Sequence, residues 1–300
     1  MFGMDAQRFK SLKLTELKTI FHKELDSIYG KDEVGSFFYL CTEFYLNLPR
    51  FQLALQPEYS IVKSEYDDFF NALERLKQEQ PIQYILGETE FYGLKFKVNK
   101  HVLIPRQETE ELVDWVKRSV TSSEVEKSLR ILDIGTGSGC IAISLAKSLP
   151  NAEVYALDIS DEALQVAKKN AKFNAVKIQF IKANILNETD WDLFSKDLVF
   201  DAIVSNPPYV RNLEKKEIRD NVLNNEPHLA LFVEDNNPLQ FYKSITNFAV
   251  TNLKPGGGLF FEINQYLGDE TRQLLEDSGF KDVELRQDLN GNDRMLKGIK

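Results

Sequence analysis

The chain has 300 residues, 43% of them apolar and 28% charged, with a formal net charge of −9; that suffices for a packed core and for two domains or one large one. The acidity argues against non-specific duplex binding, which rests on Lys and Arg neutralising phosphates, and no membrane is expected, since no apolar run reaches the roughly 18 residues a span needs. Cys41 and Cys140 are too few for a disulfide frame, even with His22, His101 and His228 they are too few for a zinc site, and Met1-Phe-Gly-Met-Asp-Ala6 lacks the basic and apolar regions of a signal peptide, so the expectations are no metal and a cytoplasmic location.

Residues 1–80 read as helical. Thr15 is predicted to cap a stretch carrying Leu17, Ile20, Phe21, Leu25 and Ile28, which Gly30 ends. Residues 34–48 hold Phe37, Phe38, Tyr39, Phe44 and Tyr45, Pro49 and Pro57 bracket a looser connection, and Ser64 caps a third helix through Phe69, Phe70, Leu73 and Leu76. The aromatic stripe reads as a small bundle's core or as a docking surface for a protein partner, and the two can occupy different faces.

Residues 88–98 read as two short strands around Gly93, a hairpin inside a linker over 81–100. Leu103-Ile-Pro-Arg106 follows, then a helix over 107–120. Glu108 and Glu110 fall near its start, where acids are favoured. Arg106 has two readings, a partner for a carboxylate or substrate backbone and a plain surface ion pair.

Residues 129–134 form a strand pattern that runs into Gly135-Thr136-Gly137-Ser138-Gly139 and then into an amphipathic run stopped by Pro150. The glycines allow a tight turn and close approach of a ligand to the backbone. A second strand, 152–157, ends in Asp158, about 20 residues after the loop, where an acid suits a ribose diol. The bland alternative is a structural β–α turn. Ser138 and a later Asn-Pro-Pro-Tyr favour S-adenosylmethionine over a dinucleotide, and no Gly-x4-Gly-Lys-Ser/Thr run exists for a phosphate-binding NTPase loop. Cys140 reads as a small core residue, with no His near in sequence to activate it.

Ser160 caps a further helix, and a strand over 177–181 ends at Ala183-Asn184-Ile185. Residues 201–205 are an apolar run of the buried parallel kind, and Asn206-Pro207-Pro208-Tyr209 ends it abruptly, since two prolines cannot continue a strand. An amide and an aromatic ring are thereby left at the carboxyl edge of the sheet, where open α/β sheets bind ligands. An Asn oxygen beside a prolyl carbonyl can accept both hydrogens of a planar –NH2 group. The alternative for Asn206 is a loop cap. Beyond it come a helix over 238–253, a stop at Lys254-Pro-Gly-Gly-Gly258, a strand over 259–263, a helix over 270–278, and a closing hairpin of 283–286 with 295–299. The alternation predicts an α/β fold with right-handed crossovers and a mostly parallel sheet.

Three segments carry a resemblance: Pro81-Ile-Gln-Tyr-Ile-Leu-Gly-Glu-Thr-Glu-Phe-Tyr-Gly-Leu94 with Val102-Leu-Ile-Pro-Arg-Gln-Glu-Thr-Glu110; Leu132-Asp-Ile-Gly-Thr-Gly-Ser-Gly139; and Val204-Ser-Asn-Pro-Pro-Tyr209 with Asn290-Gly-Asn-Asp-Arg-Met295. Over about residues 80–300 the chain resembles the HemK/PrmC family, the peptide chain release factor N5-glutamine methyltransferases. Gln107 stands where the commonest family form has proline, and Asn184 where an acid is common. The resemblance implies a class I SAM-dependent methyltransferase fold, Rossmann-like with a mostly parallel seven-stranded sheet. It also implies a helical substrate-recognition domain over 1–80, the hairpin linker, and the catalytic domain over 101–300. S-adenosylmethionine would lie against Asp133, Gly135, Thr136, Gly137, Ser138, Gly139, Asp158, Asn184, Ile185 and Asn206, leaving as S-adenosylhomocysteine; Asn184 is placed to bond the adenine's exocyclic amine and Ile185 to cover the ring. The substrate, the Gly-Gly-Gln glutamine of class I release factors, would meet Asn206, Pro207, Pro208, Tyr209 and Arg106. Of these Asn206, Pro207 and Tyr209 are the expected catalytic group, with Tyr209 stacked on the amide or facing the sulfonium. Two other classes stay open: a DNA or RNA amino-methyltransferase (adenine N6 or cytosine N4) and a non-catalytic binding module. No Lys/Arg-rich insertion of the kind a base-flipping enzyme uses is present, so no stable nucleic-acid partner is expected.

Overall fold

The computed structural model describes residues 11–56, 58–121, 129–195, 197–288 and 290–300; the N-terminal hexapeptide and Pro57 discussed above lie outside them. The chain divides into two compact units. One comprises residues up to Gly87 together with 220–225, and the other comprises 88–219 and 226–300.

In the first unit β1 (Ser11–Lys13) pairs antiparallel with β2 (Ser60–Val62), and five helices follow in order: α1 (Leu14–Tyr29), α2 (Lys31–Leu46), α3 (Arg50–Leu55), α4 (Lys63–Leu76) and α5 (Ile82–Leu86). Two predicted caps are displaced. Both β1 and β2 run straight into a helix, so Thr15 and Ser64 fall inside the first turns. A glutamate at the third helical position takes over: Glu16 accepts from the Lys13 N–H at 3.2 Å and Glu65 from the Val62 N–H at 2.9 Å. The aromatic stripe splits by face. Phe37 and Phe38 are buried with Phe21, Phe69 and Leu73, the Phe21–Phe38 pair edge-on at 5.4 Å, while Phe44 is exposed.

The second unit opens with the hairpin β3 (Glu88–Phe91) and β4 (Leu94–Lys97). Its two-residue turn has Tyr92 at φ 52° and Gly93 at φ 71°, the doubly positive φ that a type I′ turn demands. Then come α6 (Gln107–Thr121), β5 (Arg130–Ile134), α7 (Cys140–Ser148), β6 (Glu153–Asp158), α8 (Asp161–Phe173), β7 (Gln179–Lys182), β8 (Phe200–Ser205) and β9 (Val210–Arg211). The short α9 (Asp220–Asn225) belongs to the first unit, where Asn225 donates to the Glu79 carbonyl at 3.3 Å. The chain closes with β10 (Phe232–Val233), α10 (Gln240–Asn252), β11 (Leu253–Glu262), α11 (Gly268–Asp277), β12 (Lys281–Gln287) and β13 (Asp293–Ile299).

The main sheet has seven strands in the order β12-β13-β11-β8-β5-β6-β7. Reversal is confined to β13, which lies between β11 and β12 and is antiparallel to both. Lys254-Pro-Gly-Gly-Gly258 is not a helix stop outside the sheet. It lies within β11 as a bulge, with Leu253 opposite Phe200 but Gly258 opposite Ala202. The strand order turns back at β5 and β8, whose last residues Ile134 and Ser205 are partners; the Ser205 hydroxyl donates to the Ile134 carbonyl at 2.6 Å. A crevice at that switch point is the expected ligand site of such a sheet. Among the described residues no helix is long and apolar enough to cross a membrane.

Candidate active site

The glycine loop is stitched to its neighbour strand. The N–H groups of Gly135 and Thr136 both donate to the Leu157 carbonyl, at 2.8 and 2.9 Å. The Gly137 N–H donates to Asp158 Oδ2 at 2.8 Å, and Asp158 Oδ1 accepts from the Ser160 N–H at 2.9 Å. Burial raises the Asp158 carboxyl, partly opposed by these backbone donors. Ser160 does cap α8, accepting from the Ala163 N–H at 3.1 Å. Below the loop, fully buried Asp133 accepts from the Thr136 hydroxyl at 2.6 Å and the Ala142 N–H at 3.2 Å through Oδ2, and its Oδ1 has no partner among the described residues. Burial pushes its carboxyl up to about 7.

A cavity of about 430 Å³ opens above the loop, in the usual range for small-molecule sites. Gly135, Thr136, Gly137, Ser138, Asp158, Asn184, Ile185, Arg106, Asn206, Pro207 and Pro208 line it. Thus five parts of the chain distant in sequence meet in one place. Asp133, Gly139 and Tyr209 are not among its walls. Asp133 organises the loop from beneath. Gly139, at φ 84°, is required by packing, since a Cβ there would come within 2.9 Å of Ile143 Cδ1 and 3.1 Å of Ala167 Cβ.

Tyr209 is half-buried: its ring packs against the core of the sheet, and its hydroxyl donates to Glu262 Oε1 at 3.0 Å. Asn206 is held from the other side: its Nδ2 donates to Thr109 Oγ1 at 3.2 Å, and Thr109 donates to Glu262 Oε2 at 2.6 Å. The oxygen of the Asn206 amide and the Pro207 carbonyl accept no hydrogen bond among the described residues.

Arg106 does pair with a carboxylate, one of its own chain. Its guanidinium donates to Glu226 Oε1 at 2.6 Å, and Glu226 Oε2 accepts from the Ile104 N–H at 3.1 Å. The Asn184 side-chain oxygen accepts from the Leu186 N–H at 3.0 Å, which leaves its amino group to donate. That suits a purine ring nitrogen better than an exocyclic amine, itself a donor. Behind the lining face of Ile185, the Trp191 indole N–H donates to the Ile185 carbonyl at 3.0 Å.

Thr109, Glu226 and Glu262 are the site residues that sequence reading missed. Thr109 sat between the two glutamates singled out at the start of α6. Glu262 had a signal of its own, an acid closing an otherwise apolar strand, where a buried charge demands partners.

The residues present fit a nucleoside-bearing ligand. Ser138 is 2% exposed and lines the cavity, and its buried hydroxyl finds no hydrogen-bond partner among the described residues. Gly135 and Gly137, both at positive φ, bring bare backbone to the same wall.

The chain is similar to known proteins. Residues 120–231 match the family described as Methyltransferase small domain, and residues 32–87 match the PrmC N-terminal domain. A release factor glutamine methyltransferase of Flavobacterium psychrophilum is 55% identical over 280 residues, 93% of this chain and 96% of its own length. One from Bacteroides thetaiotaomicron is 40% identical over 94% of this chain and 99% of its own. Among solved structures, the hMettl16 catalytic domain in complex with an RNA hairpin aligns with a TM-score of 0.54 at 19% identity, covering 70% of this chain and 78% of its own, a likeness of fold.

Proposed function

Since the chain belongs to the family of release factor glutamine methyltransferases, we propose that it transfers a methyl group from S-adenosylmethionine to the side-chain amide nitrogen of the Gly-Gly-Gln glutamine in class I peptide chain release factors, and so modulates translation termination. The observation that supports this reading is the Asn206 amide, pinned by its nitrogen to Thr109 in a residue that lines the cavity together with Pro207.

A glutamine amide nitrogen is a poor nucleophile, because its lone pair is delocalised into the carbonyl. Bound in the cavity, S-adenosylmethionine supplies a methyl carbon already activated by a sulfonium, so the protein has mainly to position and polarise. Asn206 Oδ1 and the Pro207 carbonyl accept the two amide hydrogens and fix the plane of the group. As the nitrogen would bond the methyl carbon, the carbon–sulfur bond would break to leave S-adenosylhomocysteine; the positive charge growing on the nitrogen is held by both acceptors more tightly than in the ground state, and one amide proton would leave to solvent once the methyl is in place. Holding nitrogen and methyl about 3–3.5 Å apart removes much of the entropic barrier. Ser138, Asp158 and the loop backbone hold the donor, Asp158 being fixed for a ribose diol by its two backbone bonds. Tyr209 contributes through Glu262 rather than by touching substrate.

Incubation with labelled donor and either a purified release factor or DNA and RNA tests this. Label on one glutamine of the release factor is expected. Label on nucleic acid alone would assign the chain to the amino-methyltransferases of nucleic acids instead.

A further inference from the structure

Beneath the Asn206 corner runs a chain of hydrogen bonds in which each proton has a direction. Glu262 ends β11 and is 2% exposed. The pairing of Phe261 with Ser205 sets it beside the first residue after β8. A carboxylate only accepts, and Glu262 takes the Thr109 hydroxyl proton at 2.6 Å and the Tyr209 phenol proton at 3.0 Å. With its single proton committed, Thr109 Oγ1 can offer only lone pairs, and Asn206 Nδ2–H meets them at 3.2 Å. An amide has one donor end and one acceptor end of nearly equal size, so sterics alone do not choose between its two orientations. The charge on Glu262, relayed by one hydroxyl, makes that choice. Burying a carboxylate here is costly unless it is fully bonded, and an apolar residue would fill the space at less cost.

We infer that Glu262 is a positioning residue for methyl transfer: acting through Thr109, it keeps the oxygen of the Asn206 amide, and not its NH2, turned to the reacting nitrogen. The inference rests on the reading of Asn206 as acceptor for the substrate amide. A glutamine at 262 can donate its own NH2 to Thr109 Oγ1. The Thr109 proton is then released toward Asn206, the Asn206 amide turns over, and two donor groups face each other across the cavity.

The test is a double-mutant cycle read with labelled S-adenosylmethionine and a purified release factor. Glu262→Gln lowers kcat on the order of tenfold or more while the donor KM stays within about threefold, and in an Asn206→Ala background it has little further effect, because the two residues act as one unit. Losses that multiply overturn the inference. Thr109→Ser keeps the relaying hydroxyl and loses less than Thr109→Val; equal losses overturn it too. A second readout needs no turnover. The Asn206 side-chain NH2 resonance, assigned by its disappearance in Asn206→Ala, shifts in Glu262→Gln, and a resonance left in place overturns the inference. If the native protein leaves the release factor unlabelled, the substrate reading fails, while the resonance still decides the role of Glu262.

Discussion

The backbone N–H of Gly137 and the carboxylate of Asp158 are bonded at 2.8 Å, which ties the middle of the glycine loop to the end of β6. One side chain therefore shapes the loop and also walls the cavity.

Asp158→Ala removes both the acceptor for Gly137 and the acid proposed for the ribose diol. Donor affinity should fall by about tenfold or more, the cost of losing charge-assisted hydrogen bonds. Calorimetric titration with S-adenosylhomocysteine measures it, and unchanged affinity would remove Asp158 from the donor site.

Asn206→Ala deletes one of the two acceptors for the substrate amide. The chemical rate should drop on the order of 10² to 10³, as when a single preorganised polar stabiliser is lost elsewhere, with donor affinity changed far less. A loss under about threefold in single-turnover assays would mean that Asn206 does not hold the nucleophile.

Gly139→Ala forces a Cβ into contact with Ile143 and Ala167 at a left-handed φ of 84°. Overpacking and backbone strain together predict a destabilisation of about 2–4 kcal/mol. Denaturant unfolding checks this, and an unshifted midpoint would show that α7 and α8 separate freely.

Asp133 makes stability depend on pH in an unusual direction. Burial lifts its carboxyl from 3.8 to about 7, so between those values the folded chain keeps a proton that the unfolded chain releases. Unfolding then becomes easier as pH rises through that window, by at most roughly 1.4 kcal/mol per pH unit from this group. Its contribution is fully present below 3.8 and lost by about 7. Asp133→Asn retains an oxygen for Thr136 and Ala142 and replaces the oxygen that has no partner, so it should flatten that slope in urea melts from pH 4.5 to 7.5. An equally steep slope would place the proton elsewhere.

Local chemistry announced much of the methyltransferase unit. Parallel strands buried on both faces read as unbroken apolar runs, and the glycine loop and double proline mark where two of them end. Lys254-Pro-Gly-Gly-Gly258 misled because glycine and proline usually punctuate elements, whereas here Gly258 resumes pairing two residues along β8. The orientation of Tyr209 was invisible for a different reason. A ring after two prolines can turn either way, and its partner Glu262 lies 53 residues on, brought close only by the register of β11. Likewise nothing local in 220–225 shows that it joins the helical unit.

The bond between Trp191 and the Ile185 carbonyl has a practical consequence. The chain holds two tryptophans, and the other, Trp115, lies 3% exposed with the Arg286 guanidinium 4.0 Å from its ring centre. One fluorophore is thus screened while the other hangs from a residue whose side chain an adenine would cover. Intrinsic emission should report occupancy in unlabelled protein, with the native sequence serving as its own optical gauge.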